Sequence, residues 1–463
     1  MRKPPKITRQ KQLLSADNER KCHKMAQTYI PFTKEMKKDY KILVPNMLPV
    51  HFRLIVRVLR NYGYDAELLE TTGPEIGETG LKYVHNDTCY PAILVIGQFI
   101  HAIKSGKYDP DRVALVLFQT GGGCRASNYV SLLRKALERA GFGQVPVIAF
   151  GLTGLEKHPG FKIGLNILHR MMYAVLYGDL LMTLVNQTKP YEIYAGDAEA
   201  KSEFWSAKLT DDMAHNSINY DKVLANYREI VKDFASIPMR RCEKVKVGVV
   251  GEIFVKFSPL GNNNLESFLV SEGAEVVIPG LTDFCMYCVY NGLVDAELYG
   301  IGKAKLGIWK IAYKFLLKKQ RDIIDIIKED GTFRPITPFD HTVSLCEGFI
   351  NRGVKMGEGW LLTAEMLELY EIGAENIVCT QPFGCLPNHI VGKGTIRRLR
   401  ELYPEANIFP VDYDAGASKV NQENRIKLML AIADEMEAKR NAPRGDNEQN
   451  TEQTEKLHET VRT

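Results

Sequence analysis

Gln119-Thr-Gly-Gly-Gly-Cys-Arg-Ala-Ser-Asn-Tyr129 lies between an apolar run, Val113 to Phe118, and a helical pattern that opens near Ala126. The stretch joins a strand to a helix, so the unit around it is an α/β layer. Gly121, Gly122 and Gly123 let the backbone approach a bulky group without Cβ clashes, while the N–H groups and positive end of the next helix favour an anion. Cys124 stands at the mouth, where the helix terminus and Arg125 are expected to favour its thiolate. Such a loop can hold a metal, an iron–sulfur cluster or a phosphate. A tight βα turn with a buried cysteine would carry the same letters. No Lys-Ser or Lys-Thr follows the glycines as in a P-loop, which weighs against a nucleotide.

Working outward, Ile42 to Val44 is a short apolar run, Phe52, Leu54, Ile55, Val58 and Leu59 recur at helical spacing, and Ala66 to Leu69 is strand-like. Asn86-Asp87-Thr88-Cys89-Tyr90-Pro91 leads into the apolar helix Ala92 to Ile103, with Pro91 in the first turn and Cys89 at the helix start. Val145 to Phe150 supplies another strand. The alternation predicts a parallel sheet with Cys89 and Cys124 on loops along its carboxyl edge, where ligands bind. Helical patterns, chiefly Ile163 to Leu184 and Asp211 to Phe234, then fill an excursion. A second α/β half opens at Val245 to Val250 and continues through Glu275 to Ile278, a helical stretch Phe284 to Lys319, and the strand Asn376 to Cys379. The basic run Lys314 to Lys319 reads as an exposed helical face. A third strand-to-helix loop, Thr380 to His389, carries Cys385, and the strand Ile408 to Val411 and helix Asn421 to Ala438 follow. The expected organisation is a basic arm at 1–38, a first α/β domain at 39–159, a helical excursion at 160–240, a second α/β domain at 241–438 and a disordered tail at 439–463.

The chain has 463 residues, 45% hydrophobic and 25% charged, which suits two or three domains of a globular protein. Its net charge of +4 is concentrated in the first 38 residues, so the body is close to neutral and nucleic acid is not an expected partner. No apolar run reaches transmembrane length and the N-terminus lacks the apolar core of a secretory signal; the reading is a cytoplasmic protein that does not engage a membrane. Nine cysteines in such a chain are metal or redox candidates rather than a disulfide framework.

Cys89, Cys124 and Cys385 each sit at a helix start, two in one α/β half and one in the other, so a cleft between the halves can bring them together. Three thiolates on a four-iron cluster would leave one iron open to substrate. Zinc is the alternative metal, although paired local ligands are missing from these loops. Cys379 ends a strand six residues before Cys385 and is the fourth candidate. Cys285 and Cys288 form a CxxC in an apolar helical context, where they can simply pack. Cys22, Cys242 and Cys346 read as small hydrophobes. His389, one turn past Cys385, is a candidate ligand or proton donor and equally a helix cap. Asn388 and Glu358 sit in polar loops whose chemistry can be that of turns.

Four stretches, NDTCYPA at 86–92, QTGGGCRASNY at 119–129, GEGWLLTAEM at 357–366 and IVCTQPFGCLPNHIVGKG at 377–394, resemble the 2-hydroxyacyl-CoA dehydratase superfamily. Within it they look most like the dehydratase-like portion of acyl-CoA dehydratase activase-related proteins. GEIFVKFSPLGNNN at 251–264 and VNQENRIKLMLA at 420–431 fit the same pattern. The resemblance runs from about Lys41 to about Ala438. It implies two flavodoxin-like domains with a [4Fe-4S] cluster at their interface, held by Cys89, Cys124 and Cys385. It further implies an ATP-dependent activase, with its own cluster, that injects one electron; the substrate carbonyl becomes a ketyl radical and the hydroxyl leaves. Related proteins hold a double-cubane cluster and reduce small molecules at low potential, which here would call on Cys379 and on Cys288 or Cys346. This sequence carries no activase-like ATPase, so a separate activase is the expected partner. A related dehydratase subunit or a second copy of the chain is expected to complete the assembly, with a small substrate such as an acyl-CoA. A non-catalytic electron carrier and a plain structural α/β protein are the competing readings.

Overall fold

The computed structural model describes residues 29–118, 123–150, 156–214 and 218–441, so Gly121, Gly122, Cys22 and most of the arm and the tail lie outside the described residues. Two four-stranded parallel sheets organise what is described. β1 (Lys41–Pro45), β2 (Asp65–Leu69), β3 (Val113–Phe118) and β4 (Val147–Phe150) form the first in the order β2-β1-β3-β4. β5 (Lys246–Gly251), β6 (Glu275–Val277), β7 (Asn376–Pro382) and β8 (Asn407–Tyr413) form the second in the order β6-β5-β7-β8. Both orders follow the flavodoxin-like pattern, giving two such parallel-sheet domains. The strands read as continuous Val, Ile, Leu and Ala runs because helices cover both faces of a parallel sheet: Val113, Ala114, Leu115, Val116 and Leu117 are all buried.

In the first domain the covering helices are α1 (Pro49–Asn61), α2 (Pro74–Tyr83), α3 (Tyr90–Lys104) and α4 (Tyr129–Ala140). Pro49 and Pro91 sit in first turns, where a missing N–H costs nothing. The excursion consists of α5 (Leu165–Thr188), α6 (Asp197–Ala214) and α7 (Tyr220–Ala235); α5 packs on α1 of the first domain and on β6 of the second. Three short helices follow β5: α8 (Ile253–Phe257), α9 (Pro259–Asn262) and α10 (Leu265–Ser271). Then come α11 (Leu281–Leu298), α12 (Leu306–Asp330), α13 (Phe339–Ser344), α14 (Trp360–Glu371), α15 (Ile396–Leu402) and α16 (Lys419–Asn441). No helix among the described residues is long and apolar enough to cross a membrane.

Three expectations need correction. Cys89 follows a helix, α2, rather than a strand, because two helices and not one cross from β2 to β3. The end of the basic arm is anchored as well as solvated: Phe32 is fully buried, its N–H meets His158 Nδ1 at 3.2 Å and Gly160 N donates to its carbonyl at 2.8 Å, while Lys34 and Lys38 stay exposed. Lys319 is not part of an exposed basic face, since its ammonium lies against the ring of Tyr220 and burial pushes its pKa down to about 8.

The two domains are joined by a buried polar contact. Asp179 of α5 accepts from His51 Nε2 of α1 at 2.7 Å and from the N–H groups of Leu281 and Thr282, at 2.8 and 2.7 Å, which open α11. One carboxylate therefore caps a helix of the second domain while holding a helix of the first.

Candidate metal centre

In each sheet the strand order reverses between the middle pair of parallel strands, and the crevice at their carboxyl ends is where such folds bind ligands. β5 ends in Gly251, whose φ of +145° and approach to Thr380 exclude a side chain, and Glu252 follows. β7 ends at Pro382, and Phe383-Gly384-Cys385 comes next. Gly384 has φ of +72°, and a Cβ there would stand 3.1 Å from Cys89 Cα. Tyr90 N donates to Phe383 O at 3.0 Å, tying the loops of the two domains together. From the glycine loop, Gly123 N lies 3.3 Å from Met356 Sδ, one residue before Gly357-Glu358-Gly359. Loops carrying Cys89, Cys124, Cys385, Glu252 and Glu358 thus meet at the domain boundary.

The three thiols share an electrostatic environment. Cys89 is the N-cap of α3, and its Sγ is 2.9 Å from Tyr129 Oη. Cys124 caps a short 3-10 turn, Arg125–Asn128, with Sγ 3.5 Å from Ala126 N. Cys385 is buried just ahead of a π-helical turn, Asn388–Gly392. Burial pushes all three thiols up, Cys89 to about 11, and the carboxyl of Glu252 adds to the rise at each. Glu358 also raises Cys124 and Cys385. Arg125 favours the Cys124 thiolate through its backbone N–H, as Ala126 does, while its guanidinium bonds Asp87 O. Without a cation these thiols stay protonated; bound iron would reverse that, because a coordinated thiol loses its proton.

The remaining candidates separate from this centre. Cys379 is fully buried within β7, packed in the core with Val250, Ile377 and Ile408, and its Sγ faces Asn388 and Gly392. Its strand position turns it into the layer between sheet and helix, where it and Cys385 both neighbour Asn388. His389 is exposed and its Nδ1 pairs with Gln381. Asn388 is buried and donates to Thr380 O at 3.1 Å, a structural bond that shapes the turn. Cys346 is buried beside Trp360, and Cys242 is exposed. Of the α11 pair, Cys285 is partly buried and Cys288 exposed; desolvation and then the Glu358 carboxyl push the Cys288 thiol up to about 11.

Glu252, Lys256 and Glu365 went unread in the sequence, and Glu358 only as a turn residue. The sequence held a signal: carboxylates beside glycines, and Glu252 four residues before Lys256 inside an apolar segment, where an isolated charge is costly. Lys256 Nζ pairs with Glu365 Oε1 at 2.9 Å, both side chains 4% exposed.

Whether a cluster suits the centre depends on its donors. Among the described residues no group of three or more His, Cys, Asp or Glu could hold a single metal ion. A four-iron cluster asks for something different, because each thiolate binds its own iron and the ligands stand apart around a larger body. Three thiols on three loops and a glycine at Gly384, where a side chain would press on Cys89, fit that donor set. No protein-family model matches the chain, and no curated protein matches its sequence.

Proposed function

We propose that the chain is an iron–sulfur protein of the 2-hydroxyacyl-CoA dehydratase type, in which Cys89, Cys124 and Cys385 would hold a [4Fe-4S] cluster between two flavodoxin-like domains. The observation that carries the reading is the meeting of three cysteine loops from both domains at the carboxyl edges of the sheets, with Gly384 against Cys89. When bound, the cluster supplies low-potential electrons, received from a separate ATP-dependent activase, to a small substrate such as an acyl-CoA. The protein's own residues would supply the rest. Phe383, Leu386 and Met356 line the mouth with half or more of their surface exposed, an apolar rim that excludes water once a substrate covers it. Burial, and then the neighbouring Glu358 carboxyl, push Glu252 up to about 8, so it keeps its proton at neutral pH, and burial raises Glu358 as well. A protonated carboxyl beside the substrate is a general acid for a leaving hydroxyl. Three cysteines on facing loops would supply the ligands of a single cubane, and a double cubane would call on Cys379 and on Cys288 or Cys346 as well.

The test is turnover. Anaerobic protein, activase, ATP and a reductant are expected to dehydrate or reduce a member of a 2-hydroxyacyl-CoA panel, and Glu252→Gln to lower kcat by roughly 100-fold or more with cluster content unchanged. Cluster reduction without turnover of any substrate would instead make the chain an electron carrier.

A further inference from the structure

Behind the thiol centre, the second domain buries a line of ionisable side chains that begins at Glu358 and continues through groups to which the proposed chemistry assigns no role. Glu358 sits two residues before α14, its Oε1 accepting from Ile253 N at 3.0 Å. Glu365 follows on α14, paired with Lys256 of α8. Glu368 lies one turn further and accepts from Thr342 Oγ1 at 2.7 Å. Beyond it, Asp283 of α11 accepts from Gln320 Nε2 at 2.7 Å. Glu365 and Glu368 stand one turn apart on α14, about 4.5 Å along its axis, and Lys256 stands one turn beyond the Ile253 N–H that holds Glu358. Glu358, Glu365, Glu368 and Asp283 are 7%, 3%, 4% and 2% exposed.

The far end opens into a cavity of about 60 Å³ lined by Asp179, Thr282, Asp283, Gln320, Arg334 and Glu368. That is room for more than one water, whose minimum requirement is about 15 Å³. Thr282, 5% exposed, lines the cavity with its Oγ1 unpaired by any protein atom, which points to water there. Arg334 and Gln187, both partly exposed, stand where the cavity meets the surface.

We infer that Asp283, Glu368, Glu365 with Lys256, and Glu358 form a proton path from this cavity to the thiol centre. Burial raises Asp283, Glu368, Glu365 and Glu358 above the ordinary carboxylate range, and they raise one another: Glu368 and Glu365 act on Asp283, and Glu365 acts on both Glu368 and Glu358. Lys256 opposes the rise at Glu358, Glu365, Glu368 and Asp283 and so keeps the row from locking every proton in place. Across the cavity Asp179 stays ionised, held by His51, Leu281 N and Thr282 N. Each hop moves one proton between neighbouring groups through cavity water or side-chain rotation. A proton leaving Glu358 or Glu252 toward substrate is replaced by one entering at Asp283, so no net charge builds up in the row.

What the protons serve rests on the proposed dehydratase chemistry, but the path itself can be tested on the cluster-free protein. Infrared spectra of that protein are expected to show protonated carboxyl bands at neutral pH, with Glu358→Gln, Glu368→Gln and Asp283→Asn each deleting its own contribution. In a pH jump across neutrality, Glu368→Gln and Asp283→Asn are expected to slow the response of the Glu358 band roughly tenfold or more. An unchanged Glu358 response in both variants, with circular dichroism showing them folded, would overturn the path. So would the absence of protonated carboxyl bands in the wild-type protein. Neither result bears on cluster binding, which iron content alone decides.

Discussion

At the level of single residues, the centre depends on a glycine as much as on its cysteines. Gly384 combines a φ of +72° with the 3.1 Å approach to Cys89, so Gly384→Ala meets both backbone strain and a clash. We expect that variant to lose about 1–3 kcal/mol in urea unfolding and to bind less iron on anaerobic reconstitution, because the strain falls on the Cys89 loop. Gly143→Ala, whose nearest contact is an ordinary 3.4 Å to the Glu138 side chain, is the control that should change neither. The cysteines were legible in the sequence because each sits beside Gly or Pro at a helix start. The role of Gly384 was not legible, since the clash it avoids comes from a residue nearly 300 positions away. The surroundings of Cys379 were not legible for a related reason. Closeness to Cys385 in sequence says nothing about which face of a strand a side chain takes, and the face here is the core.

Among the elements, α5 and α11 hold the domains in register through Asp179. Burial pushes this carboxyl up, but bonds from His51 and Thr282 outweigh it and hold it below the ordinary aspartate value. Removing it leaves buried donors without a partner, at about 1–3 kcal/mol for each. Asp179→Ala should therefore be far less stable than wild type in urea unfolding at neutral pH. The sign in acid follows from the lowered pKa. The contribution is full above about 3.9, the unfolded aspartate value, and is lost as pH falls through the folded value. Asp179→Asn should accordingly flatten the acid limb of the stability profile. Gly178 and Gly280 flank the contact, and a Cβ at either would stand 2.4 Å from the His51 ring or 2.7 Å from the Asp179 carboxylate. The strands and most helices were readable from apolar runs and helical spacing, since burial on both faces writes itself into composition. The split of 284–319 into α11 and α12, and the separation of α6 from α7, were missed because amphipathic spacing runs on through a short turn.

Across the whole molecule, the buried acids of the second domain give stability a pH dependence opposite to that of Asp179. Glu252, Glu358, Glu365, Glu368 and Asp283 are all raised, chiefly by burial, so the folded protein holds protons that the unfolded chain has released. Stability should fall as pH rises from about 4.3, the ordinary glutamate value, toward neutrality, by up to about 1.4 kcal/mol per pH unit for each carboxyl still protonated. Urea midpoints between mildly acid and neutral pH measure this slope, and Glu368→Gln should reduce it. The ion pair within the row behaves differently. Lys256→Met leaves Glu365 as an unpaired buried acid and should cost about 3–5 kcal/mol, whereas Lys256→Met with Glu365→Leu should recover most of that loss.

Three thiols from two domains are proposed to bind one iron–sulfur cluster. The most direct test is anaerobic iron and sulfide analysis of the wild-type chain beside Cys124→Ala and Cys385→Ala, with electron paramagnetic resonance on the dithionite-reduced samples. The prediction is about four irons with matching sulfide per wild-type chain and a sharp loss in both folded variants. Full iron in both variants, or zinc in place of iron and sulfide in the wild type, would contradict it.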